Sequence, residues 1–173
     1  YWADTLAYSY DHQFHSHLQD LSWQSNWKYN PFEFWNIKFG LKTSFLEFLP
    51  SEEYSSNDNS HRVFPSYYTN ETALYLDNNI KLGEGFSIDA GLRAVKFFTD
   101  TEIPIKLEPR LSLHKQFGNQ EISMSYMQTN QFAQLLFTPG SIASNEVWVP
   151  SGIYVAPSST VQYTLNWNGS FAN

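Results

Sequence analysis

Three histidines, His12, His15 and His17, follow Asp11, and imidazole and carboxylate groups are transition-metal ligands. A metal site needs a second element to complete its ligand set, and the chain has no Cys to supply one. The cluster is therefore read as a solvated polar loop, and no metal is assigned. Hydrolysis by a serine would need a Ser–His pair with a third orienting group. His61 and His114 are present, but no Gly-x-Ser-x-Gly elbow exists. Gly83-Glu84-Gly85 is a turn and not a phosphate cradle, because no helix follows it. No catalytic residue and no cofactor are assigned, and the expectation is a protein that is not an enzyme. Asp89, Arg93, Glu108 and Arg110 are the more informative charges. They either form a polar wall that contacts a ligand or pair with one another across strands. Trp148 and Tyr154 lie in a long connection, where aromatics stack on sugars or partner proteins. For Trp148 the alternative is packing within that loop.

The elements that must position these residues are strands. Apolar and polar residues alternate along nearly the whole chain. Trp35, Ile37, Phe39 and Leu41 alternate with Asn36, Lys38, Gly40 and Lys42, and Ile88, Ala90 and Leu92 with Asp89, Gly91 and Arg93. Leu107, Pro109, Leu111 and Leu113 oppose Glu108, Arg110, Ser112 and His114. The same period recurs at Leu21, Trp23, Trp27 and Tyr29, at Ile122, Met124 and Tyr126, and at Val161, Tyr163, Leu165 and Trp167. No window carries the i, i+3, i+4, i+7 pattern of a helix. The spacing predicts about eight strands, over 1–10, 18–29, 34–48, 68–82, 86–98, 104–117, 121–137 and 158–171. Short turns at 30–33, 83–85 and 118–120 alternate with longer segments at 11–17, 49–67, 99–104 and 138–157. Consecutive antiparallel strands reverse direction, so short turns gather at one end and long loops at the other.

Composition says which solvent the apolar residues meet. Only 16% of the chain is charged, against about 25% in ordinary globular domains, and 31 residues are Phe, Tyr or Trp. Disordered chains have the reverse balance. The net charge of −7 argues against a nucleic-acid partner. No apolar run approaches the ~18 residues of a spanning helix. Yet Trp23, Trp27, Tyr29, Phe32 and Trp35 cluster about one short turn, as an interfacial aromatic belt requires. Strands that cross lipid must satisfy every backbone polar group, which a closed barrel does. The expected fold is all-β, an antiparallel transmembrane β-barrel in the outer membrane, with residues 1–173 as one barrel domain. A soluble lipocalin-like barrel and an aromatic-rich carbohydrate-binding sandwich share the pattern.

Several segments resemble a known family. Glu71-Thr72-Ala73-Leu74-Tyr75-Leu76-Asp77-Asn78-Asn79-Ile80-Lys81-Leu82 followed by Phe86-Ser87-Ile88-Asp89-Ala90-Gly91-Leu92-Arg93 resembles a hairpin of TonB-dependent outer-membrane transporters. Leu107-Glu108-Pro109-Arg110-Leu111-Ser112-Leu113 is similar to the strand that follows it there. Met124 to Thr129, Gln131 to Phe137 and Val147-Trp148-Val149-Pro150-Ser151 resemble the large transporters of Bacteroidota. Together these cover about 100 residues, with 18–50 more loosely similar. The resemblance implies a barrel of about 22 strands filled by an N-terminal plug. It implies import of a bulky nutrient (an oligosaccharide, a peptide, an iron chelate or cobalamin) driven from the inner membrane through a TonB protein. It also implies a surface lipoprotein as a partner. On this view Asp89, Arg93, Glu108, Arg110, Trp148 and Tyr154 contact ligand or plug. The sequence contains neither the plug nor the terminal aromatic of many such barrels, so a portion of a larger receptor is expected. A self-contained eight-stranded barrel acting as an adhesin or scaffold is the alternative.

Overall fold

The computed structural model describes residues 12–55, 60–63, 65–137 and 146–169. Among the described residues there are ten strands and no helix. They are β1 (His12–Phe32), β2 (Trp35–Ser55), β3 (Ser60–Val63), β4 (Tyr67–Gly83), β5 (Phe86–Phe98), β6 (Lys106–Phe117), β7 (Gln120–Gln131), β8 (Ala133–Phe137), β9 (Glu146–Pro150) and β10 (Ser158–Gly169). Seven long strands form one antiparallel sheet in the order β1-β2-β4-β5-β6-β7-β10, and β3 adds a short rung to β2. β8 and β9 make a separate hairpin. The sheet is not closed: among the described residues β1 and β10 are its two edges, and they do not pair with each other.

The seven long strands pair in the order they follow in sequence, with β3 inserted between β2 and β4 and the β8–β9 hairpin between β7 and β10. The β1–β2, β4–β5 and β6–β7 connections are two-residue turns at 33–34, 84–85 and 118–119, all at one end. Gly83, Glu84 and Gly85 each have positive φ (88°, 48° and 71°), the geometry that lets a tight turn match the strand twist. The long connections all lie at the opposite end, as the alternation of turns and loops requires.

Three boundaries differ from the sequence expectation. Residues 12–17 are not a loop: β1 begins at His12, because β2 runs on to Ser55 and supplies its backbone partners across a bulge between His15 and His17. The segment 49–67 is likewise partly strand, in β2 and β3. The strand expected over 121–137 breaks at Phe132, and 133–137 turn away to pair with 146–150 inside the connection. The strand expected over 1–10, like Asp11 and the side chains of His12, His15 and His61, lies outside the described residues.

Register sorts the side chains onto two faces. One is apolar across the sheet. Trp27, Phe39, Leu76, Leu92 and Pro109 form one continuous cross-strand row, and Ile80, Ile88, Leu113, Met124 and Leu165 form another. These side chains are left uncovered: Leu74 is 61% exposed, Met124 57% and Leu165 71%. Aromatics mark both ends of this face. Phe32 stacks on Phe34 and Trp35 beside the first turn, at centroid distances of 5.3 and 6.5 Å. Phe45, Tyr68 and Phe98 stand exposed toward the loop end, with the Tyr68 hydroxyl donating to Glu47 at 2.9 Å.

The other face is polar over most of its length but carries the buried core at its loop end. Leu46, Phe48, Ala73, Val95 and Phe97 project from it and are covered by Ile103 and Phe132 from the connections. Phe132 stacks on Phe97 with ring centroids 5.0 Å apart. The β8–β9 hairpin closes over this cluster: Trp148 packs against it and donates its backbone N–H to Ser16 Oγ at 3.2 Å. The longest connection thus folds inward over the polar face. Phe132→Ala is expected to release the hairpin, because the stacked ring holds its base to β5. Limited proteolysis should then cut within 133–150 under conditions where the wild type stays intact. Unchanged cleavage would mean that Trp148 alone holds it.

Candidate functional site

Below the apolar cluster, the polar face of β1, β2, β4, β5 and β6 bears most of the charge in the described sheet. Cross-strand rows again follow from register. One row reads Asn26, Gly40, Tyr75, Arg93 and Glu108, and the next toward the turns reads Lys28, Lys38, Asp77, Gly91 and Arg110. A third continues through Asn36, Asn79, Asp89 and Ser112.

Arg93 is the anchor of the first row. Its guanidinium donates to Glu108 Oε2 at 2.7 Å and to Glu71 Oε1 at 2.8 Å. Glu108 is only 1% exposed, and its other oxygen accepts the Asn130 backbone N–H at 2.7 Å and Asn130 Nδ2 at 3.3 Å. A buried carboxylate survives only when paired and hydrogen-bonded on both oxygens, and here it is. Arg93 and Glu108 are thus a cross-strand ion pair with a second acid attached.

Asp89 is also engaged. It accepts from Asn79 Nδ2 at 2.6 Å and faces His114 Nε2 at 3.1 Å, while His114 Nδ1 lies 3.3 Å from Glu121. Arg110 differs: it is exposed, and among the described residues its guanidinium has no ion-pair or hydrogen-bond partner. Trp148 is half-buried against the core cluster, which is the loop-packing role. Tyr154 is 96% exposed in the bend after β9.

Register brings in residues the sequence reading had not singled out. Lys28, Lys38 and Lys42 line a depression of about 490 Å³ together with Asp77, Arg93 and Arg110. Two glycines shape it. A side chain at Gly40 would collide with Tyr75 and the Ser25 carbonyl, and one at Gly91 would collide with the Asp77 carboxylate. Tyr75 therefore lies across β2 and hydrogen-bonds Asn26 on β1. Asp77 leans toward β5, over Gly91, and among the described residues forms no ion pair with Lys38. The signal for these lysines was present in the alternation, which put Lys28, Lys38 and Lys42 on the polar face. What it lacked was the register that makes them neighbours.

Among the described residues no hydrogen bond joins a Ser or Thr hydroxyl to a His ring; His114 faces only Asp89 and Glu121. Among the described residues no group of three His, Asp or Glu side chains is placed to hold a metal; His17 is exposed on β1. Among the described residues, no helix is long and apolar enough to cross a membrane, a statement that does not bear on strands. Compared with models of protein families, with curated proteins and with solved structures, the chain matches none.

Proposed function

We propose that this chain is part of the barrel wall of a TonB-dependent outer-membrane receptor that imports a bulky nutrient such as an oligosaccharide, a peptide or an iron chelate. The observation that carries the membrane part is the uncovered apolar face, continuous over seven strands. Soluble monomers rarely expose apolar patches beyond a few hundred Å², whereas lipid covers such a face at no cost. Dimensions agree. Phe86 and Phe98 bound the apolar stretch of β5 twelve residues apart, which is ~40 Å along the strand at about 3.4 Å per residue. With a tilt of roughly 40° that stretch is about 30 Å tall, near the hydrocarbon thickness. Short turns at one end and long loops at the other match the periplasmic and external ends of such barrels. The open edges β1 and β10 would pair with further strands, since an unpaired backbone edge is untenable in lipid.

The transport part rests on the resemblance of residues 71–98 and 104–167 to TonB-dependent transporters. On this reading the protein does no covalent chemistry. Its polar face lines the lumen beside the plug, and movement of the plug opens the path. The first test is extraction: the intact protein should require detergent, and a monodisperse species in plain buffer would sink the membrane reading. The second is deletion of the plug-encoding region of the intact gene, which should abolish nutrient uptake. An intact protein with no such region would leave an adhesin or scaffold, acting through loops such as that carrying Tyr154.

A further inference from the structure

We infer that the depression on the polar face is a binding site for a compact polyanion, a molecule presenting two or more carboxylate, phosphate or sulfate groups. The chain as a whole is acidic, with only 10 Lys and Arg. Five of these ten line this one depression: Lys28, Lys38, Lys42, Arg93 and Arg110. Arg93 is neutralised by Glu71 and Glu108. Among the described residues the other four have no ion-pair partner.

Placement of these cations is costly without a ligand. Lys28 and Lys38 are directly opposite in the β1–β2 register, and like charges in that position repel. Asp77 is the register partner of Lys38 on the next strand, so a cross-strand pair was available to neutralise it. Instead the carboxylate leans over Gly91, where no side chain obstructs it. The lysine pair and Arg110, two strands beyond Asp77, are left facing the same space. A local rule broken without internal compensation marks a functional position. Two lysines in register, with an arginine lining the same depression, suit an anion with separated charged groups, each able to accept charge-assisted hydrogen bonds. Tyr75, which donates its hydroxyl to Asn26, forms part of the lining between Lys42 and Lys38.

This assignment rests on the transporter reading only for its biological meaning, where the polyanion is the class of cargo. Binding itself requires only that the polar face be wetted. The test uses the intact protein in detergent, titrated by calorimetry at low salt with citrate, with tripolyphosphate and with maltose as a neutral sugar. Citrate and tripolyphosphate should bind and compete, maltose should not, and the preference between the two anions distinguishes a polycarboxylate from a phosphate-bearing cargo. Lys38→Gln combined with Arg110→Gln should weaken anion binding about tenfold or more, and Lys38→Arg should retain it. Lys115→Gln, whose ammonium donates to the Glu84 carbonyl near a turn, should bind as wild type. Lys38→Gln alone should also raise the unfolding midpoint in anion-free buffer, since it removes the repulsion. A purely structural lysine would lower that midpoint. Absence of anion binding, or equal binding by the double variant, overturns the site. Anion binding without uptake of any anionic nutrient would leave the site standing and remove its role as a cargo site. Cross-linking of the plug to Lys38 that the anion fails to displace would assign the patch to the plug, and overturn the ligand site.

Discussion

Replacing Arg93 by alanine is expected to destabilise the sheet by about 3–5 kcal/mol, the cost of leaving a buried carboxylate without its counter-charge. Glu108 is the reason. It is almost wholly buried, and Arg93 is the cation that reaches it, at 2.7 Å. Its remaining bonds, to Asn130, cannot offset the desolvation of a full charge. Glu71, partly exposed, loses the same partner but can recover water. The effect should therefore fall sharply when the acid is removed together with the base. Arg93→Met with Glu108→Leu is expected to recover most of the loss, since apolar replacements of buried ion pairs are often near neutral. Urea unfolding of the intact protein in lipid vesicles measures both. A single alanine variant within about 0.5 kcal/mol of wild type would mean that water reaches Glu108, and that the triad is an ordinary exposed pair.

On the proposed membrane placement, Leu92→Arg is the second large effect, about 2–4 kcal/mol of lost stability, the penalty for an arginine at the bilayer midplane on a lipid-facing strand. Leu92 lies six residues from both Phe86 and Phe98, so it sits midway between the aromatic ends of β5. Its row neighbours are Leu76 and Pro109, neither of which can pair with a cation. Ser112→Arg provides the contrast. Ser112 lies on the polar face opposite Asp89 and Ser125, where a new guanidinium meets a carboxylate and water. Its cost should be well under half that of Leu92→Arg in the same vesicles. Equal penalties would show that the faces are assigned wrongly, and with them the solvent of each.

Both effects follow from which face a residue takes, and that much was legible from alternation. A strand has a side-chain period of two, so Leu92 and Arg93 must part company whatever the rest of the chain does. The opposition of Arg93 and Glu108 was open to view only as one alternative, because pairing depends on register. The apolar cluster at the loop end was not anticipated at all. Phe45-Leu46-Glu47-Phe48-Leu49 and Val95-Lys96-Phe97-Phe98 carry large apolar residues on both faces. That doubling is the trace of a second buried surface, but it does not say what would cover it. In sequence Trp148 fits a ligand contact and a packing residue equally, and its place against the cluster depends on a hairpin formed inside a segment expected to be a loop.

Local chemistry was enough to determine the class of this protein: all-β, antiparallel, hairpin-connected, with one apolar and one polar face and with turns and loops segregated to opposite ends. Those properties come from interactions a few residues apart, namely alternation along strands and turn residues such as Gly83 and Gly85. The tertiary structure alone decided what meets across the sheet. It set Lys28 beside Lys38, turned Asp77 over Gly91, joined Arg93 to two acids and folded the β8–β9 hairpin back over Phe97. Each of these joins residues remote in sequence, or turns on a choice of register among pairings that the alternating pattern satisfies equally well. Only packing and charge across the sheet distinguish among them.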